Sequence, residues 1–214
     1  MEYEALRKRM VADQLIPRGI SDKRVLDAFL KVERQKFLPV ALRNSAYDDH
    51  PIPIGENQTI SQPFIVALMT QTLNLTGNER ILEIGTGSGY QAAILGELAK
   101  EVFSIERIES LSKTAEQTLR ELNYTNIKFK IGDGTLGWKE ESPFDCIIIT
   151  AASPRVPLPL TEQLKKDGGK LILPLGESFS QMLTLVERQE DGLNYTSICP
   201  CVFVPLIGKH GYKA

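Results

Sequence analysis

Arg80-Ile81-Leu82-Glu83-Ile84-Gly85-Thr86-Gly87-Ser88-Gly89-Tyr90 is a short apolar run that meets three closely spaced glycines and then a helical pattern. The run predicts a strand over residues 80 to 84, a tight turn, and a helix near 89 to 99. Glycine accepts positive φ and has no Cβ, so the backbone at Gly85, Gly87 and Gly89 can lie directly against a ligand. A strand, a glycine turn and a helix in that order form a nucleotide-cofactor turn. The spacing is not that of a dinucleotide fingerprint, because Tyr90 stands where the third glycine of GxGxxG would fall. No pyrophosphate seat is encoded, which disfavours a nicotinamide oxidoreductase.

Downstream of this turn the pattern repeats. Strands are predicted at 101 to 105, 127 to 131, 145 to 150 and 170 to 175, with helices near 108 to 122 and 159 to 165. Such alternation builds a parallel sheet covered on both faces. The run Asp145-Cys146-Ile147-Ile148-Ile149-Thr150 is almost continuously apolar and belongs in the sheet centre. Beyond Pro174, runs at 182 to 189 and 195 to 204 flank Asp191-Gly192, which predicts a hairpin and an antiparallel edge.

Upstream, helical spacing covers 4 to 15, with Leu6 and Met10 on one face. It also covers 22 to 33, with Val25, Leu26, Phe29 and Val32 on one face and Ser21 as N-cap. Between Leu42 and Phe64 lies a long irregular stretch with Pro51, Pro53, Gly55, Asn57 and Pro63, of a length that reads as either functional or disordered, and whether residues 43 to 62 close over a substrate is left open by the sequence. It ends in Gln58-Thr59-Ile60-Ser61-Gln62-Pro63, where helical spacing resumes. Local sequence reads Ser61 as a helix N-cap.

The chain has 214 residues, 42% hydrophobic and 24% charged, with net charge −2, and fits one α/β domain. This charge gives no electrostatic reason to expect nucleic acid. The opening Met1-Glu2-Tyr3-Glu4 has no basic region leading into an apolar run, and no apolar stretch is long enough to span a membrane. The reading therefore expects no membrane partner and a cytoplasmic protein. Cys146, Cys199 and Cys201 lack the spacing of a zinc site and read as reduced thiols, so no metal is expected.

In open parallel sheets ligands bind beyond the carboxyl ends of the strands. There the second strand supplies Glu106, whose carboxylate can accept both ribose hydroxyls or can simply face solvent. The third supplies Gly132-Asp133-Gly134, either a seat for an adenine amino group or a plain turn. With the acidic Glu83 upstream, the glycine turn looks like the S-adenosylmethionine loop of class I methyltransferases.

From about residue 5 to Leu206 the chain resembles the protein-L-isoaspartate O-methyltransferases. The specific residues are Gln58 to Pro63, the segment 144 to 159 containing Thr150-Ala151-Ala152-Ser153-Pro154, the run from Gln163-Leu164-Lys165 to Leu175-Gly176, and Val202-Phe203-Val204-Pro205-Leu206. The resemblance implies an α/β, Rossmann-like class I methyltransferase fold. Its central sheet is mostly parallel, with an antiparallel edge and extra N-terminal helices. One domain would span 1–214, with an extension over about 1–75, a cofactor core over about 76–176, and an edge and substrate-side tail over about 177–214.

The resemblance implies S-adenosyl-L-methionine as cofactor, S-adenosyl-L-homocysteine as product, and transfer of methyl to the α-carboxyl of L-isoaspartyl residues, starting repair through a methyl ester and a succinimide. The implied cofactor-binding residues are Gln58, Thr59, Ile60, Ser61, Glu83, Gly85, Thr86, Gly87, Ser88, Gly89, Glu106, Arg107, Asp133, Gly134 and Thr150. Ser61 would be the catalytic residue, orienting the carboxylate rather than attacking, and would bind substrate together with Val204, Pro205 and Leu206. The nucleophile suits the inventory, since a free α-carboxyl with a pKa of about 3.5 is already ionised and needs no strong base. Neither of the two histidines, His50 and His210, sits in a catalytic pattern. The implied partners are damaged peptides and proteins, met transiently by a monomer. Two other readings stay open here: a methyltransferase acting on a small molecule or RNA, and a non-catalytic cofactor-binding module.

Overall fold

The computed structural model describes residues 2–177 and 180–213. Helix α1 (Glu2–Arg9) passes into a π-helical segment, Met10–Leu15, rather than the single α-helix read over 4 to 15. The wider turn brings Met10, Val11 and Leu15 onto one buried face. Helix α2 (Lys23–Lys31) buries Val25 and Phe29, with Val32 following, as its periodicity predicts. Its N-cap is Asp22, not Ser21. The Asp22 carboxylate accepts hydrogen bonds from the Arg24 N–H at 2.8 Å and the Val25 N–H at 3.4 Å. The N–H groups of Ser21 and Asp22 are held by Gln71 Oε1 at 2.7 and 2.8 Å, which leaves Ser21 outside the helix.

The stretch read as irregular contains a hairpin of β1 (Ile52–Gly55) and β2 (Gln58–Ile60), turning through Glu56 and Asn57 at φ 51° and 54°. Ile52 pairs with Ile60, and both are buried, so the hairpin is anchored by apolar burial despite Pro53. Helix α3 (Pro63–Leu73) follows.

The remaining elements run β3 (Arg80–Ile84), α4 (Tyr90–Leu98), β4 (Glu101–Glu106), α5 (Glu109–Glu121), β5 (Ile127–Ile131), β6 (Cys146–Ile149), α6 (Leu158–Glu162), β7 (Lys170–Glu177), β8 (Ser180–Gln189) and β9 (Gly192–Cys201). The sheet order is β5-β4-β3-β6-β7-β8-β9, parallel from β5 through β7 and antiparallel from β7 through β9. β6 is fourth of the seven and wholly buried, as its apolar run predicts. Each isoleucine buried there stabilises the fold by about 1.5–3 kcal/mol. Helix α6 stops short of residue 165, and the backbone that follows forms an isolated parallel bridge between Leu164 and Phe144, just before β6. The Phe144 N–H donates to Gln163 O at 2.9 Å, and the Lys165 N–H to Phe144 O at 2.8 Å.

The strand pleat divides the interior into two layers. Ile81, Val102 and Ile148 face the layer built with α3 and α4, whereas Leu82, Ile84, Phe103, Ile105, Ile147 and Ile149 face the other. Cys146, Cys199 and Cys201 are free thiols. Among the described residues no helix is long and apolar enough to cross a membrane.

Candidate active site

One pocket opens at the carboxyl ends of β3, β4 and β6, between the glycine turn, the β1–β2 hairpin and the C-terminal tail. It is lined by Gln58, Thr59, Ile60 and Ser61 from the hairpin side, by Gly85, Thr86, Gly87 and Ser88 from the turn, and by Glu106, Arg107, Gly134 and Thr150 from the strand ends. Val204, Pro205 and Leu206 close it from the tail. Three residues of the sequence reading lie outside this lining: Glu83, Gly89 and Asp133. Others line it without any role assigned from sequence, namely Val66, Met69, Ile84, Tyr90, Gln91, Ile105, Ala151 and Ile207. Helical spacing already set Met69 on the helix that begins beside Ser61, and this was the one usable signal for it.

Two glycines of the pocket lining, Gly85 in the turn and Gly134 after β5, have no room for a side chain. Gly85 sits at φ 96°, and a Cβ there would lie 2.4 Å from Thr150 Oγ1. The Thr150 hydroxyl donates to Gly85 O at 2.7 Å, so the residue just after β6 clamps the turn from its side. Gly134 lies so close to Ile84 that a Cβ would meet its Cγ2 at 2.4 Å. Gly89 serves packing instead: it leads into α4 at φ 87°, with Leu119 and Ala115 of α5 at 3.0 and 3.2 Å from where a Cβ would be.

Glu106 is buried at the end of β4, and its carboxylate accepts from the Gly87 N–H and the Ile108 N–H, each at 3.0 Å. Each oxygen keeps a further lone pair for a ligand hydroxyl. Arg107 beside it is exposed at the pocket rim.

Glu83 is fully buried on the other face of β3, beside Ser104 of β4, because strand alternation turns it away from Ile84. Ser104 Oγ donates to Glu83 Oε2 and lies 2.6 Å from Thr86 Oγ1, so this carboxyl reaches the turn only through two hydroxyls. Oε1 has no partner. Burial, reinforced by the Glu106 charge and opposed by Ser104, pushes the Glu83 pKa up to about 8.

Asp133 holds the tail. Its Oδ1 accepts from the Thr135 N–H at 2.9 Å and the Thr135 hydroxyl at 2.6 Å, and its Oδ2 accepts from the Lys209 N–H at 2.8 Å. Burial works against ionisation, but these donors outweigh it and hold the carboxyl below its ordinary range. The tail is also stitched to the segment after β6: the Ala152 N–H donates to Val204 O at 2.8 Å and the Leu206 N–H to Ala152 O at 2.7 Å. That pairing is why β9 ends at Cys201 rather than at 204.

Ser61 lines the pocket just before α3, whose N-cap is Gln62. The capping bond reaches α3 from Asp49, whose Oδ1 accepts the Phe64 N–H at 3.2 Å, so Ser61 does not do this work. The Ser61 hydroxyl has no hydrogen-bond partner among the described residues. Its carbonyl accepts from Arg34 Nη2 at 2.8 Å, while Arg34 Nε donates to Ala46 O at 2.7 Å. Arg34 is fully buried, forms no salt bridge among the described residues, and lies over the Tyr90 ring, 4.7 Å from its centroid. Burial draws its pKa down to about 10, so it remains cationic at neutral pH.

This donor set fits a nucleoside cofactor. A cradle closed to a Cβ at Gly85 and Gly134, a buried carboxylate with lone pairs to spare, and apolar walls of Ile84, Ile105, Val66 and Met69 suit a sugar flanked by apolar parts. Among the described residues no three His, Cys, Asp or Glu side chains cluster as a metal site.

The comparisons agree with this architecture. A solved protein-L-isoaspartate O-methyltransferase superposes with a TM-score of 0.85 at 29% identity, covering 96% of this chain and 67% of that one. A Plasmodium falciparum protein assigned the same activity, solved in complex with S-adenosyl-L-homocysteine, gives a TM-score of 0.79 at 25% identity, covering 96% and 98%. Protein-L-isoaspartate O-methyltransferase 1 of Syntrophobacter fumaroxidans is 53% identical over 213 residues, covering 100% of this chain and 99% of its own. Its counterpart in Geobacter metallireducens is 52% identical over 213 residues, covering 99% and 98%. The family model described as Protein-L-isoaspartate(D-aspartate) O-methyltransferase matches residues 6–211, and the chain belongs to that family.

Proposed function

We propose that this protein transfers the methyl group of S-adenosyl-L-methionine to the α-carboxyl of L-isoaspartyl residues in damaged peptides and proteins. The observation that carries this reading is one continuous pocket, with the glycine turn and Glu106 at one end and Ser61 with Val204, Pro205 and Leu206 at the other. When bound, the cofactor supplies an electrophilic methyl on a sulfonium. Glu106 holds the ribose hydroxyls, the backbone of Gly85 and Gly87 lies along the nucleoside, and Gly134 leaves room for adenine. Thr59 and Ile60 close over this end, while Arg107 covers the rim.

Ser61 donates its free hydroxyl to the substrate carboxylate and fixes its direction of approach. Arg34 holds the Ser61 carbonyl and so keeps that hydroxyl in place. The carboxylate is ionised at neutral pH, which leaves alignment and the exclusion of water as the work of the site. The tail at 204 to 206 offers backbone and apolar contacts to an extended peptide, which accounts for a specificity that reads one carboxylate and little else. Substrates are met transiently, the protein acts as a monomer, and its place is the cytoplasm.

The test is methyl transfer from labelled cofactor to a peptide containing L-isoaspartate, with the matching L-aspartyl peptide as control and base-labile methanol as readout. Selective labelling is expected, and Ser61→Ala should abolish most of it while leaving cofactor affinity within about twofold. Cofactor binding without labelling of either peptide would overturn the substrate assignment.

A further inference from the structure

Gln91, the second residue of α4, is buried and lines the pocket beside Val66 and Met69 of α3. Its Nε2 donates to Thr70 Oγ1 at 3.1 Å, and the Thr70 hydroxyl donates to Val66 O at 2.8 Å. Counting protons fixes which end of the amide faces where. Thr70 has one hydroxyl proton, already given to Val66 O, so its oxygen can only accept, and Gln91 must offer its NH2 group. The amide oxygen is therefore turned elsewhere. Oε1 has no partner, although it is buried. A buried carbonyl left without a donor costs about 1–3 kcal/mol.

The location of this acceptor says what it takes. This step rests on the cofactor reading above. Sheet order puts Gly134 after β5 and Glu106 at the end of β4, so adenine and ribose occupy that side of the pocket. Gln91 lies on the opposite side, past the β3 turn, where α4 meets α3 and Ser61 begins the helix approach. The part of the cofactor that extends there is its amino-acid end. That end carries a single hydrogen-bond donor, the α-ammonium, since its carboxylate and sulfur can only accept. We infer that Gln91 Oε1 receives the α-ammonium of the cofactor and is a binding residue for its amino-acid end.

The interaction is charge-assisted, and hydrogen bonds to charged groups are worth more than neutral ones. It also gives the side chain a discriminating role. A nucleoside thioether without the amino-acid end has nothing to offer Oε1, so it gains nothing from Gln91.

The experiment is calorimetric titration of wild type, Gln91→Leu and Gln91→Met with two ligands. S-adenosylhomocysteine carries the ammonium, and 5′-methylthioadenosine keeps the nucleoside and thioether but lacks the amino-acid end. Both variants remove the acceptor, and methionine also keeps the side-chain length if leucine perturbs packing. Expected is a loss on the order of ten- to a hundredfold for S-adenosylhomocysteine, with affinity for methylthioadenosine within twofold of wild type. The second ligand also reports that the variant pocket is folded. Equal loss for both ligands, or no loss for either, would overturn the assignment of Gln91. Wild-type protein that binds neither ligand would instead overturn the cofactor reading beneath it.

Discussion

Replacing Glu83 by glutamine should change how stability depends on pH, in a direction and by an amount that the burial of this side chain sets. The folded carboxyl holds its proton to about pH 8, whereas the ordinary value is 4.5. Below 4.5 both folded and unfolded chains are protonated at this position, and above 8 both are ionised. Between those values the unfolded chain has released the proton and the folded one has not, so folding loses stability as pH rises. At about 1.36 kcal/mol per pKa unit, the wild type should lose about 4 kcal/mol from this group between pH 5 and 8.5. Glutamine does not titrate. It keeps an oxygen for Ser104 Oγ to donate to, while its own NH2 must find a place where Oε1 now has no partner. Any fixed penalty for that is the same at every pH. Urea unfolding of both proteins at pH 5, 6, 7, 8 and 8.5 isolates the titration as the change in their stability difference. A difference that moves by less than about 1 kcal/mol over this range would show that Glu83 ionises near its ordinary pKa, and the account of a sealed, proton-holding carboxyl would fail.

Glu106→Ala should weaken S-adenosylhomocysteine binding by about 1.5–3 kcal/mol through lost charge-assisted hydrogen bonds, and an unaltered dissociation constant by calorimetry would show that this carboxylate does not meet the ligand. Gly85→Ala should cost stability by about 1–3 kcal/mol for its positive φ, and more for the forced shift of Thr150 Oγ1 at 2.4 Å. Gly55→Ala, at φ 95° with open space around it, carries the backbone cost alone, so equal losses in urea unfolding would dismiss the clamp by Thr150. Arg34→Lys keeps a buried cation but cannot hold Ala46 O and Ser61 O with one planar fork. Its maximal rate with isoaspartyl peptide should fall at least tenfold with cofactor affinity unchanged, and a folded variant with wild-type turnover would refute the positioning role.

What could be read from sequence follows the range of the interactions involved. The β3 strand, its glycine turn and the central β6 are local patterns of apolar residues and glycines, and the structure has them where the residues put them. The β1–β2 hairpin is different. Pro51, Pro53 and Gly55 read as loop, and only the alternation of Ile52 and Ile54 against Ile60 signals that two short strands face each other. Ser21 reads as the N-cap of α2 in the local sequence, but the cap is Asp22, and the N–H groups of both residues are held by Gln71, some 50 positions away. Asp133 was legible as an acidic residue at a strand end. That its carboxylate would be engaged by the Lys209 N–H was not, because that donor arrives from the far end of the chain. Glu83 was read toward the cofactor because it precedes the glycines, and the pleat, which turns alternate residues to opposite faces, puts it behind them.

The two halves of the pocket are therefore built by different means. The turn, Glu106 and Gly134 stand at strand ends, where sheet geometry alone brings them together. Ser61 and the tail are brought in by non-local bonds: Arg34 to the Ser61 carbonyl, Ala152 to Val204 and Leu206, and Asp133 to Lys209. Of the segments that carry the resemblance, 58 to 63 is held by Arg34, and 150 to 154 is joined to 202 to 206 through Ala152. Breaking such a bond leaves the sheet and its strand ends in place, so damage at Arg34 or Ala152 should reach the step that uses the peptide before it reaches cofactor affinity. Damage at Gly85 or Glu106 should do the reverse. The order in which the two readouts fail thus identifies the half of the pocket a substitution has struck, even for residues that touch neither ligand.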